Sequence, residues 1–161
     1  MPASHTERHA ANLRWLAERL GHAPLKELTR QPTISALYRV TISYHDHRAL
    51  DAVATLRYQR GQPPTLSISY EGAFQRRPLS YTLPPDRYRD WTLALQRLRF
   101  DRMPDQTGLP LYGLDIWMLE RAAGGFVHSV ILSPQTADGP HADLVEAVHA
   151  HLPEVLREVQ P

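Results

Sequence analysis

Between Ile34 and Leu83 the chain alternates apolar and polar residues with a period of two, in four runs separated by turn residues. Successive side chains of a strand point to opposite faces, so this pattern commits the stretch to sheet. In ISALYRVTISY the even positions Ile34, Ala36, Tyr38, Val40, Ile42 and Tyr44 face one way. Ser35, Arg39, Thr41 and Ser43 face the other, with Leu37 as the exception. HDHRA is a turn, after which Ala52, Ala54, Leu56 and Tyr58 alternate with Val53, Thr55, Arg57 and Gln59. Leu66, Ile68 and Tyr70 then oppose Thr65, Ser67 and Ser69, and Leu79, Tyr81 and Leu83 alternate with Ser80 and Thr82. The expectation is an antiparallel meander with one dry face and one wet face rich in Ser, Thr and Arg.

Helical spacing brackets this region. Ser4 and Glu7 form a capping-box pattern, Leu13, Leu16, Ala17 and Leu20 share one face, and Gly21 is a natural stop. Trp15 lies off that face, and residues 1–6 are expected to be flexible. Pro84 and Pro85 open a second helix, about Asp86 to Phe100, whose Tyr88, Trp91, Leu95 and Leu98 line one side while Leu93 sits opposite. A last helix carries Leu144, Val145, Val148, Leu152, Val155, Leu156 and Val159 on one stripe, with Pro153 expected to kink or split it.

The least surface-like stretch, GLDIWMLERAAGGFVHSVIL (113–132), reads as a hairpin turning at Ala122–Gly125. An even connection puts Leu114, Ile116, Met118 and Glu120 with Val127, Ser129 and Ile131 on one face, which is nearly pure core. Asp115, Trp117, Leu119 and Arg121 share the other with Phe126, His128, Val130 and Leu132. Asp115 and Arg121 lie at opposite ends of the strand, too far apart to touch. The bland account is a strand pair sandwiched between helices, with its polar groups at the edges.

Composition narrows the function classes. A net charge of +1 argues against a nucleic-acid binder held by bulk electrostatics. Residues 74–102 nevertheless hold seven arginines against three aspartates, while residues 133–161 hold one arginine against five acids. These halves either meet or form separate solvated faces. A third, weaker reading gives nucleic acid a contact through Arg76, Arg77 and the basic helix. Without cysteine there is no thiol nucleophile and no thiolate zinc site. No apolar run is long enough for a membrane helix, and the N-terminus is charged where a secretion signal is apolar. A cytoplasmic protein is expected.

Chemistry-bearing motifs are scarce. His45 and His47 fall in a turn, His149 and His151 diverge on a helix, and there is no HExxH, so neither metal nor cofactor is expected. No nucleophile elbow, P-loop or dinucleotide fingerprint occurs, and the reading leans away from an enzyme. Tyr38, Tyr58, Tyr70 and Tyr81 are in phase with the dry face, opposite Arg39 and Arg57, which is the wrong side for a nucleic-acid platform. They either line a ligand pocket between sheet and helix or form the rim of the core.

The whole chain, 1–161, is read as one α+β domain: an antiparallel sheet made of a four-strand meander and a hairpin, packed by N-terminal, middle and C-terminal helices. This order, with one strand fewer in the meander, resembles the small secretion-chaperone fold of bacteria. The likeness is topological. No sequence motif of that family is recognised, and the chain is near neutral where its members are acidic. The resemblance implies a homodimer that binds an extended stretch of another protein. The leading expectation is therefore a non-enzymatic adaptor or chaperone-like interaction protein whose partner is another protein or itself. Its interface candidates are Trp15, Leu93, Trp117, Arg121 and His128. The alternative is a small-molecule-binding domain using the tyrosine-lined face, with the 101–112 loop as a lid.

Overall fold

The computed structural model describes residues 4–72 and 78–156. Helix α1 spans His5–Arg19 and begins inside the stretch expected to be flexible, because the Ser4 side chain accepts from the Glu7 amide and the Glu7 carboxylate accepts from the Ser4 amide. It ends in a Schellman closure: Gly21 takes φ 85°, with the His22 amide on the Ala17 carbonyl and the Gly21 amide on the Glu18 carbonyl. The short helix α2, Leu25–Leu28, follows. Strands β1 (Ile34–Ser43), β2 (Ala52–Gln59), β3 (Thr65–Tyr70) and β4 (Leu79–Thr82) form the meander. Helix α3 (Pro85–Arg97) starts on its two prolines, and a 3-10 turn at Phe100–Arg102 follows Arg99, a non-glycine residue in the left-handed region. Strands β5 (Ile116–Ala123) and β6 (Phe126–Leu132) make the hairpin. Helix α4 (Gly139–His151) is cut off ahead of Pro153, and a 3-10 turn takes over at Pro153–Leu156. Val159, Arg76 and Arg77 lie outside the described residues.

The strands form one open, antiparallel, six-stranded sheet in the order β4-β3-β2-β1-β5-β6. The hairpin docks on β1, so the first strand of the meander lies inside the sheet with a neighbour on each side. Trp117 pairs with Leu132 and Arg121 with His128 across a two-residue Gly124–Gly125 turn, the expected partition of faces.

One face carries Tyr38, Val40, Ile42, Leu56, Leu66, Trp117, Leu119 and Val130 against Trp91 and Leu95 of α3 and Leu144 and Val148 of α4. The other face departs from expectation. It is wet only in part, because α1 and α2 lie across it. Leu13 packs on Ile116, Met118 and Ile131, Leu16 and Ala17 pack on Val53, and Leu25 packs on Leu37. Burying a leucine this way contributes about 1.5–3 kcal/mol, enough to hold a helix that local propensity alone would leave marginal. A bulge between Ile34 and Ala36 moves Ile34 to this second face beside Leu37, and the packing of both under Leu25 explains why Leu37 breaks the alternation.

The basic middle and the acidic tail meet. The Arg87 side chain donates to the His151 carbonyl and pairs with Glu154. No helix among the described residues is long and apolar enough to cross a membrane.

The 103–110 loop is pinned to its surroundings. Its Met103, Pro104, Leu109 and Pro110 carbonyls accept from the rings of His128, His141, His5 and His9 respectively. The Gln106 amide donates to the Ile131 carbonyl, and Asp105 accepts from the Ile131 amide. With this many fixed contacts the segment is a fastened cover over β6, which counts against its use as a lid.

Candidate functional site

Register places one polar residue from each strand in a single row on the α1 side of the sheet. Ser80 pairs with Ser67, Ser67 with Thr55, Thr55 with Arg39, Arg39 with Glu120, and Glu120 with Ser129. The period of two keeps all six side chains on one face.

Arg39 is the centre of this row and only 4 % exposed. Its Nε donates to Thr55 Oγ1 at 3.0 Å and its Nη2 to the Ala23 carbonyl at 2.8 Å, so the chain leaving α1 fixes the guanidinium. His22, placed by the Schellman closure, lies 2.9 Å from Thr55 Oγ1 through Nδ1 and 2.9 Å from Ser69 Oγ through Nε2. With the Thr55 hydroxyl accepting from Arg39 and donating to Nδ1, the neutral ring carries its proton on Nε2 and donates to Ser69. Burial, and next the charge of Arg39, bring the His22 pKa down to about 4.

Glu120 stands beside Arg39 in register, yet its carboxylate has no hydrogen bond and no ion pair among the described residues. Burial pushes its carboxyl above the ordinary glutamate range, against the weaker pull of Arg39 and Arg14. Both side chains open onto a pocket of about 270 Å³ that Arg14, Lys26, Glu18 and Ser129 also line. A partly buried acid without a direct hydrogen bond, beside a fixed arginine, is costly to a fold and is characteristic of binding sites.

A second cluster lies at the end of the sheet, in the turn after β1. The fully buried Asp115 accepts from the His45 amide at 3.1 Å, from His45 Nδ1 at 2.7 Å and from both terminal nitrogens of Arg48. Burial alone would push its carboxyl up, but the hydrogen bonds of Arg48 and His45 outweigh that and bring it down to about 2. His45, Asp46 and Asp115 each bring one donor atom within 4.8 Å of the others. Arg48 is hydrogen-bonded to both carboxylates and supplies the positive charge that a cation would bring.

A third feature is a cleft of about 420 Å³ between α1 and the 109–114 segment. Trp15 and Tyr112 both line it and are 58 % and 84 % exposed. The Arg19 guanidinium stacks on the Trp15 ring, its carbon 4.2 Å from the centroid, while pairing with Glu71.

The expected interface residues do not converge. Trp117 is 3 % exposed because its register places it beside Leu119 under α4, with its ring 6.1 Å from that of His149, so it is core and not surface. Leu93 is exposed on α3 and Trp15 on α1, on opposite sides of the sheet. Arg121 is taken by Asp101 at 2.9 Å, and His128 by the Met103 carbonyl and the rings of Phe100 and Phe126.

The tyrosine face is largely filled. Tyr58 stacks on Tyr88 with centroids 4.8 Å apart, and Tyr38 meets Tyr88 and Trp91 edge-on. Tyr70 donates to the Glu154 carbonyl, and Tyr81 packs against the core. Tyr38 lines a cleft of about 400 Å³ shared with Arg99, Arg102 and Arg121.

Sequence reading missed Glu120, assigned to a core face, and His22, Arg48 and Tyr112. The one available signal was an acid at each of two positions in an apolar hairpin. No protein-family model matches the chain, and no curated protein matches it.

Proposed function

We propose that the protein is a non-enzymatic interaction protein, adaptor or chaperone-like in kind, that holds an extended stretch of another protein in the cleft between α1 and the 109–114 segment. The exposure of Trp15 and Tyr112 on the two sides of one cleft carries this reading. Large aromatic rings left in water at a concave site are the side chains that most often dominate binding energy at protein interfaces. Asn12 in the same cleft supplies a polar group that can orient a peptide backbone.

The experiment is photo-cross-linking in the host cell with a benzophenone side chain in place of Tyr112. The expected result is a discrete product with another protein, reduced at least fivefold by Trp15→Ala. A product at twice the chain's mass would replace this reading with a homodimer, and no product would end it. Among the three tryptophans Trp91 and Trp117 are buried, so the exposed part of the fluorescence reports on Trp15. The partner should protect that fraction from iodide.

A further inference from the structure

We propose that the pocket between Arg39 and Glu120 is a binding site for a small zwitterion of free amino-acid size, its carboxylate on Arg39 and its ammonium on Glu120. The site is independent of the Trp15–Tyr112 cleft.

Three observations converge on it. Arg39 is nine-tenths buried, and its two protein hydrogen bonds use Nε and one N–H of Nη2. Nη1 makes no hydrogen bond among the described residues and is left to donate to a carboxylate. Glu120 is its register neighbour on the next strand and has neither hydrogen bond nor ion pair among the described residues. Neighbouring residues on one sheet face are close enough to pair directly. Arg39 instead turns to Thr55 and the Ala23 carbonyl, which leaves the acid within the field of Arg39 and Arg14 but without a direct ion pair among the described residues. The pocket between them measures about 270 Å³, below the roughly 300–1,000 Å³ of sites for drug-sized ligands.

The flanking charges agree with a ligand bearing both signs. Arg14 and Lys26 add positive charge and Glu18 adds negative charge at the same pocket, with Ser129 offering a hydroxyl beside Glu120. A simple anion would leave Glu120 unanswered. A simple cation would lie beside Arg39 and be repelled. A zwitterion satisfies the half-buried acid and the buried base together, in a setting of reduced dielectric where charge-assisted hydrogen bonds are strong.

The test is thermal unfolding and titration calorimetry of the full chain with the free L-amino acids and short β- and γ-amino acids. Each is run beside the amine and the acid that keep only one of its charged groups. At 100 times Kd, at least one amino acid should raise Tm by about 5–10 °C, and both single-charge compounds should bind more than tenfold more weakly. Glu120→Gln should cut the affinity at least tenfold. Ser129→Leu, which fills the pocket from the edge strand, should do the same and covers the case in which the first variant folds poorly. Equal binding of the amine or the acid alone would overturn the proposal, as would no binding by any amino acid. Undiminished binding to either variant would also overturn it.

Discussion

Asp115 and Glu120 are five residues apart on one segment of chain, each with an arginine at hand, and they end in opposite electrostatic states. Asp115 is fully buried and complete: two Arg48 nitrogens, the His45 amide and the His45 ring all point at it. Glu120 is less buried and has no hydrogen bond or ion pair among the described residues. The difference lies in where the arginine is mounted. Arg48 sits in the turn after β1, whose backbone can wrap around an acid. Arg39 is locked in mid-strand, and its guanidinium is committed to Thr55 and the Ala23 carbonyl. Proximity in register does not make an ion pair; freedom of the donor to choose its acceptor does.

The comparison breaks most sharply at Asp115. Asp115→Asn leaves Arg48 and the His45 amide facing a neutral amide and should cost about 3 kcal/mol in urea unfolding at pH 7. A loss below 1 kcal/mol would mean that the cluster contributes no more than a surface pair.

Acid titration should separate the two regions next. His22 has an ordinary value of 6.5 and a folded value of about 4. The fold therefore holds the neutral ring, and stability present above pH 6.5 is lost as pH falls towards 4. The loss should be roughly 2 kcal/mol after allowance for the partial exposure of the ring. Asp115, lowered from 3.8 to about 2, contributes its own loss only below pH 3.8. Urea midpoints measured across pH 2–8 should show both phases, and His22→Gln should remove the upper one alone. A single phase centred near 4 would show that burial of His22 does not govern its titration.

The smallest effect has the opposite sign. Glu120→Gln, without ligand at pH 7, should raise stability by about 1 kcal/mol, because it removes a charge that the fold leaves unanswered. Destabilisation by the same amount would show that Arg39 and Arg14 already compensate it.

Much of this architecture was legible because its signals are local. Alternation in 34–83, the capping box at Ser4, the diglycine turn and Pro153 each act within a few residues. The covered second face was not legible, because Arg39, Thr41 and Thr55 look like surface until α1 is known to lie over them. The row through Arg39 and Glu120 depends on β5 docking against β1, a pairing across about 80 residues that no periodicity encodes. The same holds for Asp115, recognised as out of place in an apolar stretch, whose partners lie 67 and 70 residues away. Trp117 was misplaced for a related reason: its size suggested an excess over one core, while the sheet in fact has a helical layer on each side.

The fastening of the 103–110 loop has a consequence for solubility. An uncovered outer strand is a template on which further chains can add, the first step towards fibrils. At Ile131 that template is already used, its amide and carbonyl held by Asp105 and Gln106. The fastened loop thus takes one rung of the outer strand, the one at Ile131, out of reach of an added chain.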